Sequence, residues 1–337
     1  MRIDVILESN NAPERIRDLG VLAEQCGLGG VWVSNMNDAR DPFINFVPLA
    51  MATRRIRIGP IAVSPFELHP LKMASALLTL NEVSQGRAQI VVGAGGGTVS
   101  AMGLQPQRVV RAVRECIDIL RLAASGEPVR YAGELFKVRW YDARWARSAP
   151  PALYAGANGP QMLRSAARHA DGVMVSDFVL DQLCWARGEI DHALVEAGRD
   201  PATFPLNNFW AWHVKPTREE AEREARTWLA VRGTIYPKYV GHILDPDEAG
   251  LVSRHTDAFI RAYQRKSDVI EGVPEAIVRK LVHGCTSACS IDELDSEIER
   301  LRGFRDAGLT QIALRIYDKP EDTIRLLGER VVPALAE

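Results

Sequence analysis

Ala152-Leu153-Tyr154-Ala155-Gly156-Ala157-Asn158-Gly159-Pro160-Gln161 runs from a short apolar stretch through a small-residue turn into a helix that opens on proline. Proline suits the first helical position, because the N–H it lacks has no partner there anyway. The segment therefore reads as strand, turn, helix, and the same unit recurs along the chain. Further strands are expected at Ile3–Leu7, Val31–Ser34, Ile56–Val63, Gln89–Val92, Gly172–Ser176, Asn208–Val214 and Gln311–Ile316, with helical patterns between them. Val129–Val138 reads as a separate small hairpin. Eight strands spaced by helices predict a parallel sheet covered on its outer face, and that number suits closure into a (β/α)8 barrel better than an open doubly wound sheet. The span from Thr217 to Thr310 is too long for one crossover and carries several helical patterns, so it is expected to be an insertion (217–310) before the last strand of a single 1–337 domain.

Composition narrows the class. Across 337 residues, 41 Lys and Arg against 43 Asp and Glu leave a net charge of −2, which removes the electrostatic ground for a nucleic-acid binder. No apolar run approaches the roughly 20 residues of a membrane span, and Met1-Arg2-Ile3-Asp4-Val5 reads as a strand, not as a secretory leader. Cys26, Cys116, Cys184, Cys285 and Cys289 form no disulfide framework, which favours a reducing, cytoplasmic setting. Cys285 and Cys289 with His283 lack a fourth ligand at suitable spacing, so no metal site is expected.

A barrel places its chemistry on the loops that follow the strands. Gly156–Gln161 is the most informative of these, because small residues let backbone N–H groups approach an anion at the positive end of the following helix. A ligand-free βα turn uses the same residue types. Gly93-Ala94-Gly95-Gly96-Gly97-Thr98 fails the dinucleotide fingerprint at Thr98, yet offers a wall without side chains against which a flat ring can lie, or else a merely flexible loop. His69, before Pro70, reads as a buried structural group at a helix entrance. Trp210 and Trp212 read as core, and Arg218–Arg223 as a solvated helix face.

Taken in order, these segments resemble the bacterial luciferase-like oxidoreductases, and within them the deazaflavin-dependent methylenetetrahydromethanopterin reductases. The likeness runs nearly end to end. It rests on Val31–Ser34 with Asn37–Phe43, Ile58-Gly59-Pro60 through His69-Pro70, Ser84–Arg87 leading to Gly93–Gly95, Tyr154–Leu163 with Ala170-Asp171-Gly172, and the tail from Ala307 to Arg330. The resemblance implies a cofactor, coenzyme F420 or alternatively FMN, lying across the C-terminal mouth. It implies a cis peptide at Ile61–Ala62 in a bulge behind the ring. It puts Asn35, Ile61, Ala62, Val63, Ser64, Gly93, Ala94, Gly95, Thr98 and Ser176 near the ring system, and Gly156, Ala157, Asn158, Gly159, Pro160 and Gln161 at the phosphate. Glu8, Asn35 and Thr98 are the catalytic candidates.

Departures bear on mechanism. Many members of that family carry Asp-His where Asn35-Met36 stands, a carboxylate where Thr98 stands, and an acidic group where Ile6 stands, two residues before Glu8. The proton source is then Glu8, Glu67, His213, water or the substrate itself. Three readings follow: an F420-dependent oxidoreductase moving a hydride to or from an unidentified organic substrate, small molecule or peptide; an FMN-dependent luciferase-like monooxygenase; and a non-catalytic cofactor-binding barrel. The resemblance also implies a homodimer.

Overall fold

The computed structural model describes residues 1–232, 235 and 239–336. The remainder of the 217–310 region's expected helices at 233–234 and 236–238 lies outside the described residues. The described residues form eleven strands: β1 (Arg2–Leu7), β2 (Gly30–Ser34), β3 (Arg57–Ile61), β4 (Gln89–Val92), β5 (Val129–Ala132), β6 (Lys137–Tyr141), β7 (Ala152–Gly156), β8 (Gly172–Ser176), β9 (Leu206–Trp212), β10 (Thr286–Ser287) and β11 (Gln311–Arg315). Eight of them form one parallel sheet in the order β3-β2-β1-β11-β9-β8-β7-β4. β5 and β6 make the separate antiparallel hairpin. The unforeseen β10 adds two residues beside Ala211 and Trp212 of β9.

The ring closes between β3 and β4, through bridges at Ile58–Ala88 and Val63–Val92. This is a (β/α)8 barrel. Its interior is layered, as side-chain alternation along each strand requires. At the bottom, Arg2 and the Trp32 indole both donate to Asp4, and Tyr154 Oη donates to Gln311 (3.0 Å). Above lies an apolar plug of Ile6, Trp32, Ile61, Val91, Tyr154, Met174 and Ala313. The opposite faces of the strands meet the outer helices, which include 13–25, 70–83, 109–123, 160–169, 180–196 and 294–306, across the main core. Trp210 and Trp212 belong to that core, fully buried, with Trp210 Nε1 donating to Ser287.

Helices at Arg218–Thr227, Pro246–Arg254, Thr256–Arg265 and Glu275–Cys285 gather around an apolar cluster of their own, centred on Phe259, Leu281 and Val282. Helix 294–306 instead packs Ile298, Leu301 and Phe304 onto the barrel core. His69 does serve structure, but from an exposed position, not the buried one expected. It precedes helix 70–83, and its Nδ1 accepts from the Leu71 amide (3.2 Å).

Two bridges with different spacing set the closure. Between them the chain advances five positions on the β3 side, 58 to 63, but only four on the β4 side, 88 to 92. The surplus residue is Ala62, which leaves the ladder and points into the open mouth. The cis bond expected at Ile61–Ala62 is not there: every peptide bond among the described residues is trans. A bulge absorbs the extra residue without isomerisation, and the ladder resumes at Val63, whose amide donates to Val91 (2.9 Å).

Closure also demands that β3 approach β4 closely. A Cβ on Gly59 would stand 1.8 Å from the Gln89 carbonyl oxygen, a backbone atom that cannot swing aside. Gly59→Ala should therefore destabilise the fold by about 3 kcal/mol or more. Gly303→Ala, where an added Cβ meets nothing within 4 Å, should be neutral or stabilising by up to about 1 kcal/mol. Urea unfolding followed by circular dichroism measures both; equal midpoints for the two variants would contradict this account of closure.

Candidate active site

The bulge, the β4 loop and the β7 loop together frame a cavity of about 370 Å³ at the C-terminal mouth. Its floor is apolar: Ile61, Val91, Met174 and Phe209. Its wall is nearly bare, because Gly93 to Gly97 and Gly156 contribute little beyond backbone. The bareness is structural. A Cβ on Gly93 would come within 2.8 Å of Ala62 Cβ, and Gly95 has φ +86°, a conformation that favours glycine. Around Gly96 and Gly97 an added Cβ would meet nothing, so side chains there would project into open space.

Glu67 is the one ionisable side chain among the described residues that line this cavity. Its Oε1 accepts from Asn35 Nδ2 (2.5 Å) and from the Ser64 amide (2.7 Å). Burial pushes the Glu67 carboxyl above its ordinary range, and those two donors hold it back without cancelling the effect. Thr98 Oγ1 donates to the Asn35 carbonyl (3.3 Å), which ties the β4 loop to the β2 loop. Asn35 is thus the hub of the rim, joined to Glu67 through its side chain and to Thr98 through its carbonyl.

The β7 loop is organised around Asn158. Its amide donates to the Ser176 carbonyl (3.3 Å) and its Oδ1 accepts from the Ser176 amide (3.0 Å), so the side chain clamps two rim loops together. Gly159 caps helix 160–169 without a side chain. The first intrahelical bond of that helix runs from the Leu163 amide to Gly159, which leaves the Gln161 and Met162 amides as donors at its positive end. Beside it, Arg108, Arg111, Arg114, Gln161 and Ser165 line a second cleft of about 480 Å³. Arg108 and Arg111 pair with Glu134, whereas Arg114 Nε is buried with no hydrogen-bond partner among the described residues.

Of the residues the sequence pointed to, Asn35, Ile61, Ala62, Gly93, Ala94, Gly95, Thr98, Gly156 and Ser176 line the mouth. Val63, Ser64 and Ala157 are buried behind it. Asn158, Gly159 and Pro160 form the adjoining turn, and Gln161 faces the second cleft. Glu8 is not brought to the mouth cavity: its Oε2 accepts from Arg315 Nη2 (2.6 Å), and it lines a third cleft with Tyr317 and Trp228. His213 is fully buried, with Nδ1 2.7 Å from Glu224 Oε2. Burial pushes the His213 imidazole below its ordinary range. Burial acts to raise the Glu224 carboxyl, but His213 and Lys215 outweigh it and hold Glu224 below the ordinary range. Met174 and Phe209 escaped the sequence reading of the site, although inward alternation along β8 and β9 was the available signal.

The family profile described as luciferase-like monooxygenase matches residues 1–311. A 5,10-methylenetetrahydromethanopterin reductase of Archaeoglobus fulgidus is 29% identical over 319 residues, covering 93% of each chain. An F420-dependent glucose-6-phosphate dehydrogenase of Microbacterium testaceum is 27% identical over 351 residues, covering 96% of this chain and 94% of that one. Among solved structures, the coenzyme F420 dependent tetrahydromethanopterin reductase of Methanopyrus kandleri superposes with a TM-score of 0.85 at 23% identity, covering 98% of both chains.

The Asn35–Glu67 contact yields a prediction with a definite sign. Asn35→Asp sets two carboxyls at hydrogen-bond distance, where they share a proton and titrate above the usual carboxylate range. The folded state then binds more protons than the unfolded one, so stability should fall as pH rises through that raised value. Urea unfolding should show the variant losing about 1–2 kcal/mol more, relative to wild type, at pH 8 than at pH 5. A pH-independent difference would mean that the two groups do not face each other.

Proposed function

The chain belongs to the luciferase-like monooxygenase family, and from that footing we propose that it is a coenzyme F420-dependent oxidoreductase acting on an organic substrate. The observation that carries the reading is a mouth with an apolar floor and a wall of glycines, adjoined through the turn after Gly156 by a helix terminus with open amides that faces the second cleft. A planar ring needs the first two, and a phosphorylated tail needs the third. The residues fit such a group. Ile61, Ala62, Gly93 to Gly95, Gly156 and Met174 would hold the ring, and the Gln161 and Met162 amides the phosphate, with Arg114 lining the same cleft as Gln161. Relatives named for the same cofactor support the choice.

When bound, the deazaflavin supplies the hydride chemistry. The protein positions and shields the reacting carbons. Glu67 is the carboxyl at the mouth, and burial raises its affinity for a proton. Asn35 orients that carboxyl, and Thr98 fixes Asn35. The mouth thus carries a carboxyl on the β3 loop although Asn35 stands where the family resemblance implies an acid. The substitution of Asn35 for an acid supports a substrate other than methylenetetrahydromethanopterin.

The alternative, an FMN-dependent monooxygenase, shares the barrel and the phosphate loop and differs in the ring that enters. Absorbance titration with each cofactor separates them. Saturable binding of F420, weakened at least tenfold in Gly159→Leu while the melting curve is unchanged, is the expected result. Saturable FMN binding with no response to F420 would overturn the proposal.

A further inference from the structure

The C-terminal ends of β1, β9 and β11, beside the mouth cavity, carry polar side chains that the proposed cofactor residues do not use. Glu8 and Arg315 lie two residues beyond Ile6 and Ala313, and so continue the inward-facing rows toward the C-terminal rim. Arg315 commits Nη2 to Glu8, and Arg232 commits Nη1 to Asp177 Oδ1 (3.2 Å). Tyr317 stands beside Arg315. The Arg315 guanidinium stands 5.3 Å from the centre of the Tyr317 ring, and the Tyr317 hydroxyl lies in the positive field of both arginines. His213 stacks on the same ring at 4.6 Å with planes 13° apart. Four atoms of this group are buried with no hydrogen-bond partner among the described residues: Arg232 Nε, Arg315 Nη1, Tyr317 Oη and His213 Nε2.

Buried polar atoms without partners are costly, and their convergence on one ring marks a place prepared for a ligand. We infer that Arg232, Arg315, Tyr317 and His213 form a substrate-anchoring subsite that takes a carboxylate. Two guanidinium N–H groups and a phenol are donors, which two carboxylate oxygens satisfy. With Nδ1 turned to Glu224, His213 Nε2 is left as an acceptor, which suits a hydroxyl on the same ligand. A phosphate dianion fits poorly, because Asp177 and Glu8 already offset the two arginines. The subsite adjoins the mouth: Arg232 stands 5.1 Å over the Phe209 ring, and Phe209 is part of the cavity floor. A substrate held there by its carboxylate extends toward the ring position, so the inference rests on the cofactor reading for its catalytic meaning but not for its binding chemistry.

Trp228 packs 4.6 Å from Tyr317 and reports on the subsite by its fluorescence. The test titrates the protein with butyrate, hexanoate, butyramide and inorganic phosphate. The carboxylates should bind saturably, at least tenfold more tightly than butyramide, with no response to phosphate. Arg315→Met should weaken butyrate at least tenfold and leave F420 titration within twofold of wild type. Should that variant fail to fold, Tyr317→Phe, which keeps the stacked ring, should still weaken butyrate several-fold. Equal binding of butyramide, equal binding of phosphate, butyrate affinity unchanged in both variants, or no saturable response to any probe (buried water only) would each overturn the inference. Butyrate binding by a protein that binds no F420 would support the subsite while removing the cofactor reading, so the two fail separately.

Discussion

Everything at the mouth depends on how β3 meets β4. The strands can close the ring only because Gly59 presents no side chain to the Gln89 carbonyl, and because β3 carries one residue more than β4 between the two closing bridges. The surplus residue, Ala62, is pushed out of the ladder and becomes the back of the cavity. Gly93 faces it across a gap that even a methyl group would crowd. Closure and cavity are thus one piece of geometry: the contact that completes the barrel also holds open the slot above its apolar plug. The Asn35–Glu67–Ser64 bonds then brace the loops on either side of that slot.

Polarity is arranged in tiers along the barrel axis. The bottom is sealed by hydrogen-bonded charge around Asp4 and Gln311, the middle by Ile6, Trp32, Ile61, Val91 and Met174, and the top carries the groups still able to react or bind. Around the rim the division is lateral. On the β3, β4 and β7 side the surface is bare backbone with one carboxyl, Glu67, suited to a flat ring and a proton. Across β9, β11 and β1 it is crowded with guanidinium, phenol and imidazole groups. A cofactor on one side and a polar substrate on the other is the division of labour that this asymmetry favours.

Much of the fold was legible because parallel strands buried on both faces leave continuous apolar runs, as at Ile56–Val63 and Gly172–Ser176, bounded by glycine and proline. The glycine loops were legible for the same reason: backbone exposed to a ligand needs residues without Cβ. The bulge and a cis bond at Ile61–Ala62 were both expected from the family resemblance alone; the bulge is present with every described peptide bond trans, a distinction no residue type in the segment encodes. β10 escaped notice because two residues paired to Trp212 leave no periodic signal. The Arg232–Arg315–Tyr317 group was invisible for a deeper reason. Its members lie far apart in the chain, and only the ring order β1-β11-β9 brings them together. Glu67 stood out merely as one possible acid, because its raised affinity for a proton comes from burial between loops that no spacing in the sequence encodes.

A crystal structure of the protein with F420 tests the central claim most directly. Density for the ring between Ala62 and Gly156, with the phosphate on the Gln161 and Met162 amides, is the predicted result. A ring found elsewhere, with the slot above Ile61 and Met174 filled by side chains, would contradict it.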